Sequence, residues 1–399
     1  MINENYYFVD KTLFIKDLLD NRAKVTLITR PRRFGKTLTL SMTKEFFDVN
    51  QKDPNLFDDL KIMQAGEKYL TYKNKYPVIF SVMKTVAMST YEDTMGCLRG
   101  ELSRLYKKFK FLLEGEILDE EEKIYFRKIS GRDKNVSYDE LGEGLKNLCE
   151  YLERYYKVKP IILIDEYDSP IQNAWENGFY KEMIAFMRNF YSNALKTNES
   201  LEFAVLTGVL RVAKESIFSG LNNLKVCSVL SERYSSVFGF TAKEVEKMAL
   251  DLGYEDKIPE IKKWYDGYLF GETEIYNPWS IIEYFDNKCK PLPYWVNTSA
   301  NGILRHLLED LDKANREDLQ ALISGGTIKK KIQENVIYND IGKNKNVFYT
   351  ILFMSGYLKV VQIEGKEEQI ATMQIPNNEI KSLFCSEFKE SLSGYKKYS

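Results

Sequence analysis

The stretch Ile28-Thr29-Arg30-Pro31-Arg32-Arg33-Phe34-Gly35-Lys36-Thr37-Leu38 decides how the chain is read. An apolar, β-prone run from Val25 to Ile28 precedes it, and a helical pattern from Leu38 to Phe47 follows. A strand, a tight loop ending in Gly-Lys-Thr and a helix together make a phosphate cradle, because the loop N–H groups and the helix N-terminus face an anion. Arg32, Arg33, Phe34, Gly35, Lys36, Thr37 and Leu38 are the candidate nucleotide-contacting residues. Lys36 would reach the β/γ-phosphates, and the Thr37 hydroxyl would ligate Mg²⁺.

The loop departs from the usual G-x-x-x-x-G-K-[ST] pattern, since Arg30 stands where the first Gly belongs. That Gly ordinarily permits a backbone conformation that other residues avoid. Pro31 also removes one N–H donor. The loop must therefore take a different entry path, with Arg32 and Arg33 adding positive charge. The plain alternative is a basic turn before a helix, without nucleotide.

A second feature lies far downstream. Pro160-Ile161-Ile162-Leu163-Ile164 is a continuous apolar run that ends in Asp165-Glu166. Such a run reads as a strand buried on both faces of a parallel sheet. In nucleotide-hydrolysing folds an acid at the tip of this strand holds Mg²⁺ through water, and the next polarises the attacking water. Asp165 fits the first role and Glu166 the second. Otherwise the two acids merely begin the following loop and helix.

The chain resembles the predicted AAA-ATPase-like proteins of anaerobic bacteria. The likeness rests on Tyr7-Phe8-Val9-Asp10-Lys11-Thr12, the Arg-Pro-Arg-Arg-Phe-Gly-Lys-Thr-Leu loop, Leu163-Ile164-Asp165-Glu166-Tyr167-Asp168 and Leu206-Thr207-Gly208-Val209. It extends through Phe218-Ser219-Gly220-Leu221-Asn222-Asn223, Tyr265-Asp266-Gly267-Tyr268, Tyr276-Asn277-Pro278-Trp279-Ser280 and Ile375-Pro376-Asn377. It covers almost the whole chain, and an Arg in place of the first loop Gly is typical of the family. The resemblance implies an ATP-binding module with Mg²⁺. Members often carry a further C-terminal domain similar to PD-(D/E)XK nucleases. This chain ends soon after Asn377, where that domain would begin, so a truncated or short form is expected. In the family the segment around Asp10 and Lys11 lies beside the nucleotide, whereas the residues alone favour Asp10 or Thr12 as a helix cap.

Composition bounds the rest. A chain of 399 residues exceeds what one core usually serves. Lys plus Arg number 57 and Asp plus Glu 58, which argues against a globally basic nucleic-acid binder. The five cysteines are scattered, without C-x-x-C spacing, and read as reduced thiols in a cytoplasmic protein. A single histidine, His306, argues against His-based metal or triad chemistry. No apolar segment is long enough to span a bilayer, and the first residues lack the pattern of a signal peptide.

Taken in order, the segments predict an α/β fold: a P-loop NTPase parallel sheet with flanking helices, then a helical and winged-helix-like C-terminal region. The expected domains are 1–239, 240–325 and 326–399. Helices are expected from Tyr91 to about Leu113, Tyr138 to Tyr156 and Tyr180 to Leu195, with strands at 77–82, 160–164, 201–208 and 226–230. Ligands in such sheets sit at the carboxyl ends of the strands, which puts Lys36, Asp165 and Glu166 on one edge. Thr207, at the tip of its strand, reads equally as a sensor of the γ-phosphate or as a cap of the next turn. Arg211 would reach phosphate in its own or a neighbouring subunit, or form a surface ion pair.

From Phe240 the pattern becomes helical. Thr241 and Glu244 form a capping-box signature, and Asn277-Pro278 a helix start. Trp264, Tyr265, Tyr268, Tyr276 and Trp279 read as core aromatics rather than base-stacking groups. A helix is expected over Ile303–Leu311. Strand-like runs at 358–363 and 369–375 follow the apolar Val347–Met354 segment, hence the winged-helix expectation. Lys329-Lys330-Lys331 would meet DNA phosphates or form a solvated charge run. Glu364-Gly365-Lys366 fits the E-x-K of a nuclease but sits at a hairpin turn, and is rejected as such a site. The leading reading is a nucleotide-binding, ATP-hydrolysing module that signals to a protein partner or an appended domain. The alternatives are a nucleotide switch with little turnover and a DNA-associated regulator.

Overall fold

A computed structural model describes residues 7–212, 217–218, 224–295, 313–334, 338, 345–365 and 368–395. The helix expected over Ile303–Leu311 and the turn residues Ser219–Asn223 lie outside them, as does Lys366. The chain divides into two compact units, one of residues 1–28 and 36–227, the other of 29–35 and 228–399.

The first unit is built on a five-stranded sheet. Its strands are β1 (Val25–Thr29), β2 (Val78–Val82), β3 (Ile161–Asp165), β4 (Ala204–Gly208) and β5 (Leu224–Cys227), in the order β2-β3-β4-β1-β5. The pairings β1–β5, β2–β3 and β3–β4 are parallel. Every residue of β1, β3 and β4 is buried, as continuous apolar runs require when helices cover both faces. Helices Lys36–Phe47, Tyr91–Lys108, Gly144–Tyr156 and Tyr180–Leu195 alternate with the strands. Ile164 pairs with Leu206, which brings Asp165 beside Thr207 at the sheet's carboxyl edge.

The acidic run Asp119–Glu122 opens a helix through a reciprocal capping box. The Tyr138–Tyr156 helix, by contrast, breaks at Glu143 into Tyr138–Gly142 and Gly144–Tyr156, since flanking glycines weaken helix propagation. Thr12 makes no side-chain cap. Instead Asp10 accepts the N–H groups of Thr12 and Lys61, each at 2.8 Å, tying the N-terminal segment to a later turn.

The second unit contains two small antiparallel sheets. One joins β6 (Phe240–Thr241), β7 (Tyr268–Phe270) and β8 (Thr273–Tyr276) in the order β6-β8-β7. The β7–β8 hairpin is not anticipated by the sequence pattern, because its strands are short and rich in aromatics that also suit helix packing. The other joins β9 (Ile328–Lys331), β10 (Lys359–Glu364) and β11 (Ile370–Gln374) in the order β10-β11-β9. Thr241 and Glu244 form their capping box. Asn277 accepts the N–H groups of Trp279 and Ser280, with Pro278 opening the helix. Tyr265, Tyr268 and Tyr276 are buried core residues.

Glu379 is a buried acid in this unit. It accepts the Ser280 hydroxyl at 2.9 Å and the Trp295 backbone N–H at 2.7 Å. Burial nonetheless pushes its carboxyl up to about 7 from an ordinary 4.5. Between those two values the folded chain holds a proton that the unfolded chain has released. Stability should therefore fall as pH rises through this window and level off above it, by at most about 3 kcal/mol. Glu379→Gln is expected to flatten that decline in thermal unfolding scans from about pH 5 to about pH 8. An unchanged slope in the variant would rule out this source.

Candidate functional site

At the carboxyl edge of the first unit's sheet, three hydroxyl and carboxylate groups meet. Asp165, 1% exposed, ends β3. One of its oxygens accepts the Thr37 hydroxyl and the other accepts the Thr207 hydroxyl. Thr37 lies in the first turn of helix Lys36–Phe47, directly after Lys36, which is 6% exposed. The Thr207 hydroxyl is thus engaged as a donor. It faces the acid on the neighbouring strand, because β4 is the strand paired with β3.

Glu166 follows at once, half-buried, with φ +54°. A side-chain-bearing residue in the left-handed region is strained and persists only where its surroundings over-determine it. Ser169 donates its hydroxyl to the Glu166 carboxylate at 3.2 Å and its N–H to the Glu166 carbonyl at 3.0 Å. Asp168 is 3% exposed and accepts the N–H groups of Val209 and Leu210 at 2.9 and 2.8 Å. Burial raises its pKa above the ordinary value, against the pull of those N–H groups and of the Lys36 ammonium. Arg211 is half-buried in the segment that leaves β4.

The loop residues are held within the second unit. Arg30 is fully buried: its guanidinium donates to the Thr29 carbonyl at 2.8 Å and the Tyr234 carbonyl at 3.4 Å, and lies 4.9 Å from the Phe270 ring. A residue in the place of the first loop Gly thus acts as an internal anchor for the loop's entry. Phe34 is buried against Tyr268 and Phe270, at ring distances of 5.0 and 5.2 Å. The Arg32 carbonyl accepts the Trp295 indole N–H at 3.3 Å, and the exposed Arg33 sets its guanidinium 4.5 Å from the Trp279 ring. Gly35 has φ +83° with open space where a side chain would stand, so glycine is needed there for conformation rather than for room. Leu38 is exposed.

A hydroxyl and a carboxylate side by side, next to a lysine, form a hard oxygen-donor set that suits Mg²⁺ carried on nucleotide phosphates. Thr37 and Asp165 would hold the ion, which supplies charge neutralisation when bound. Among the described residues no group of three or more His, Cys, Asp or Glu side chains is disposed to hold a metal by itself. Among them, too, no helix is long and apolar enough to cross a membrane. From sequence alone Tyr167 and Asp168 carry no role beyond their place in the Leu163–Asp168 motif. Their position directly after the two acids was the available signal.

A protein of Azotobacter chroococcum mcd 1, described as "Uncharacterized protein in vnfD 5'region", is 27% identical over 383 residues. The match covers 95% of this chain, which spans 66% of that relative's length. The family model described as Predicted AAA-ATPase matches residues 1–218, the region that carries Lys36, Thr37, Asp165, Glu166 and Thr207. The chain belongs to the predicted AAA-ATPase family.

Proposed function

We propose that the chain is a Mg²⁺-dependent ATP-binding and ATP-hydrolysing P-loop module. The observation that carries this reading is the convergence of the Thr37 and Thr207 hydroxyls on Asp165, one residue from Lys36. Lys36 neutralises the phosphates, Thr37 and Asp165 hold the ion, and Glu166 orients a water for in-line attack. Thr207 and Arg211 respond to the γ-phosphate. Positioning and charge stabilisation supply most of the rate. The test is a titration with ATP and Mg²⁺ followed by phosphate release. Absence of nucleotide affinity would sink the reading.

Coupling of nucleotide state to a partner or an appended nuclease-like domain is supported by the division of the chain. Residues Thr29–Gly35 pack as part of the second unit, although the chain on either side of them belongs to the first. The same anchoring also suits a nucleotide switch with little turnover, which predicts bound nucleotide after purification without phosphate release.

One further observation favours a winged-helix reading of the C-terminal region. Helix Lys313–Ile323, β9, helix Lys345–Met354, β10 and β11 follow one another in the order such domains use. Against a DNA role, Lys329 pairs with Glu364, Lys330 with Asp318 and Lys331 with Glu368. A DNA role predicts duplex affinity that falls steeply with salt; no affinity at low salt would remove it.

A further inference from the structure

Six hydrogen bonds converge on Tyr167 and Asp168, the two residues after Glu166. The Tyr167 N–H donates to the Thr207 carbonyl at 2.9 Å. The Tyr167 hydroxyl donates to the Leu210 carbonyl at 2.7 Å and accepts the Val212 N–H at 3.1 Å. These are the peptide groups on either side of Arg211. Asp168 holds the N–H groups of Val209 and Leu210 through a single oxygen, Oδ2. Tyr191 donates its hydroxyl to the Tyr167 carbonyl at 2.9 Å. Tyr167, Leu210 and Val212 are each 1% exposed or less, so water offers little substitute for these bonds. Gly208 sits so close that a Cβ there would lie 2.6 Å from both Asp168 Oδ1 and Tyr167 Cε1.

We propose that Tyr167 and Asp168 are positioning residues that lock the 208–212 segment to the Glu166 backbone, so that the water-orienting carboxylate and Arg211 keep one fixed relation. The proposal rests on the ATP-hydrolysing reading above. Its physical basis is the left-handed backbone at Glu166. Strain there must be held by neighbours, and those neighbours are the residues that also pin the segment carrying Arg211. Neither Tyr167 nor Asp168 bonds the Thr37 hydroxyl, which is held by Asp165. Loss of the brace should therefore reach the chemical step and spare nucleotide affinity. A displacement of about 1 Å in such a group costs up to roughly 100-fold in rate.

The experiment compares Asp168→Ala, Asp168→Asn and Tyr167→Phe with the unaltered chain and with Lys36→Ala. Phosphate release and equilibrium affinity for Mg-ATP are measured for each, with thermal unfolding to identify folded variants. Asp168→Ala and Tyr167→Phe are expected to lower kcat roughly 10- to 100-fold, with affinity within about threefold of the unaltered chain. Asp168→Asn should recover most of the rate, because an amide oxygen can accept both backbone N–H groups. If Asp168→Ala does not fold, Tyr167→Phe decides alone. Unchanged kcat in a folded variant overturns the brace and leaves the ATPase reading intact. Rate and affinity falling together would mark a merely structural role and also overturn it. If the unaltered chain shows no phosphate release that Lys36→Ala abolishes, the ATPase reading fails and the brace fails with it.

Discussion

Lys36→Ala is expected to weaken Mg-ATP binding between about 30-fold and about 5000-fold, the loss typical when one partner of a desolvated charge pair is truncated. Lys36 is almost wholly withdrawn from water, at the N-terminus of its helix, beside the acids of the β3 tip. Its ammonium is the group best placed to neutralise phosphate oxygens there, because Arg30 and Arg33 of the loop are engaged elsewhere. Arg30 is anchored on backbone carbonyls, and Arg33 lies over Trp279. Removal of Lys36 leaves the incoming phosphates facing Asp165 and Glu166 without that neutralisation. Isothermal titration with Mg-ATP checks the effect. Affinity equal to that of the unaltered chain would refute the phosphate role of Lys36.

Glu166→Gln is expected to retain nucleotide binding and to lower turnover roughly 100- to 10,000-fold, the usual contribution of a positioned general base. Gln keeps the shape and can still accept the Ser169 hydroxyl, so the left-handed backbone at this position should survive. What it cannot do is draw a proton from water. Single-turnover phosphate release at saturating Mg-ATP isolates this step. A normal rate would move the base assignment away from Glu166. A matched loss of affinity would mean that the carboxylate serves binding instead.

Much of the first unit was legible in the residues. Apolar runs at 25–28 and 160–164 could be fully buried only in a sheet covered on both faces, and that is where they lie; the run at 77–82 forms the sheet's edge strand and is only partly buried. Cap signals at Thr241 and Asn277 act locally, over three or four residues, so they are readable without knowledge of the fold. The β7–β8 hairpin was not legible, because strands of three and four residues give too short a window for a period-two pattern. Arg30 was identifiable as a departure from the loop pattern, but one of its partners, Tyr234, is 204 positions away in sequence.

By itself, the sequence determined which residues could serve phosphate and Mg²⁺: a Gly-Lys-Thr turn after one buried strand and an acid pair after another. Chain chemistry and hydrophobic period are local properties, and they suffice for that. Only the tertiary structure decided that Thr207 faces Asp165, that Tyr167 and Asp168 hydrogen-bond the turn around Arg211, and that Arg30 and Arg33 of the loop are held by aromatic rings and carbonyls. Each of these pairings joins segments whose adjacency follows from strand order and packing, which no window of neighbouring residues encodes.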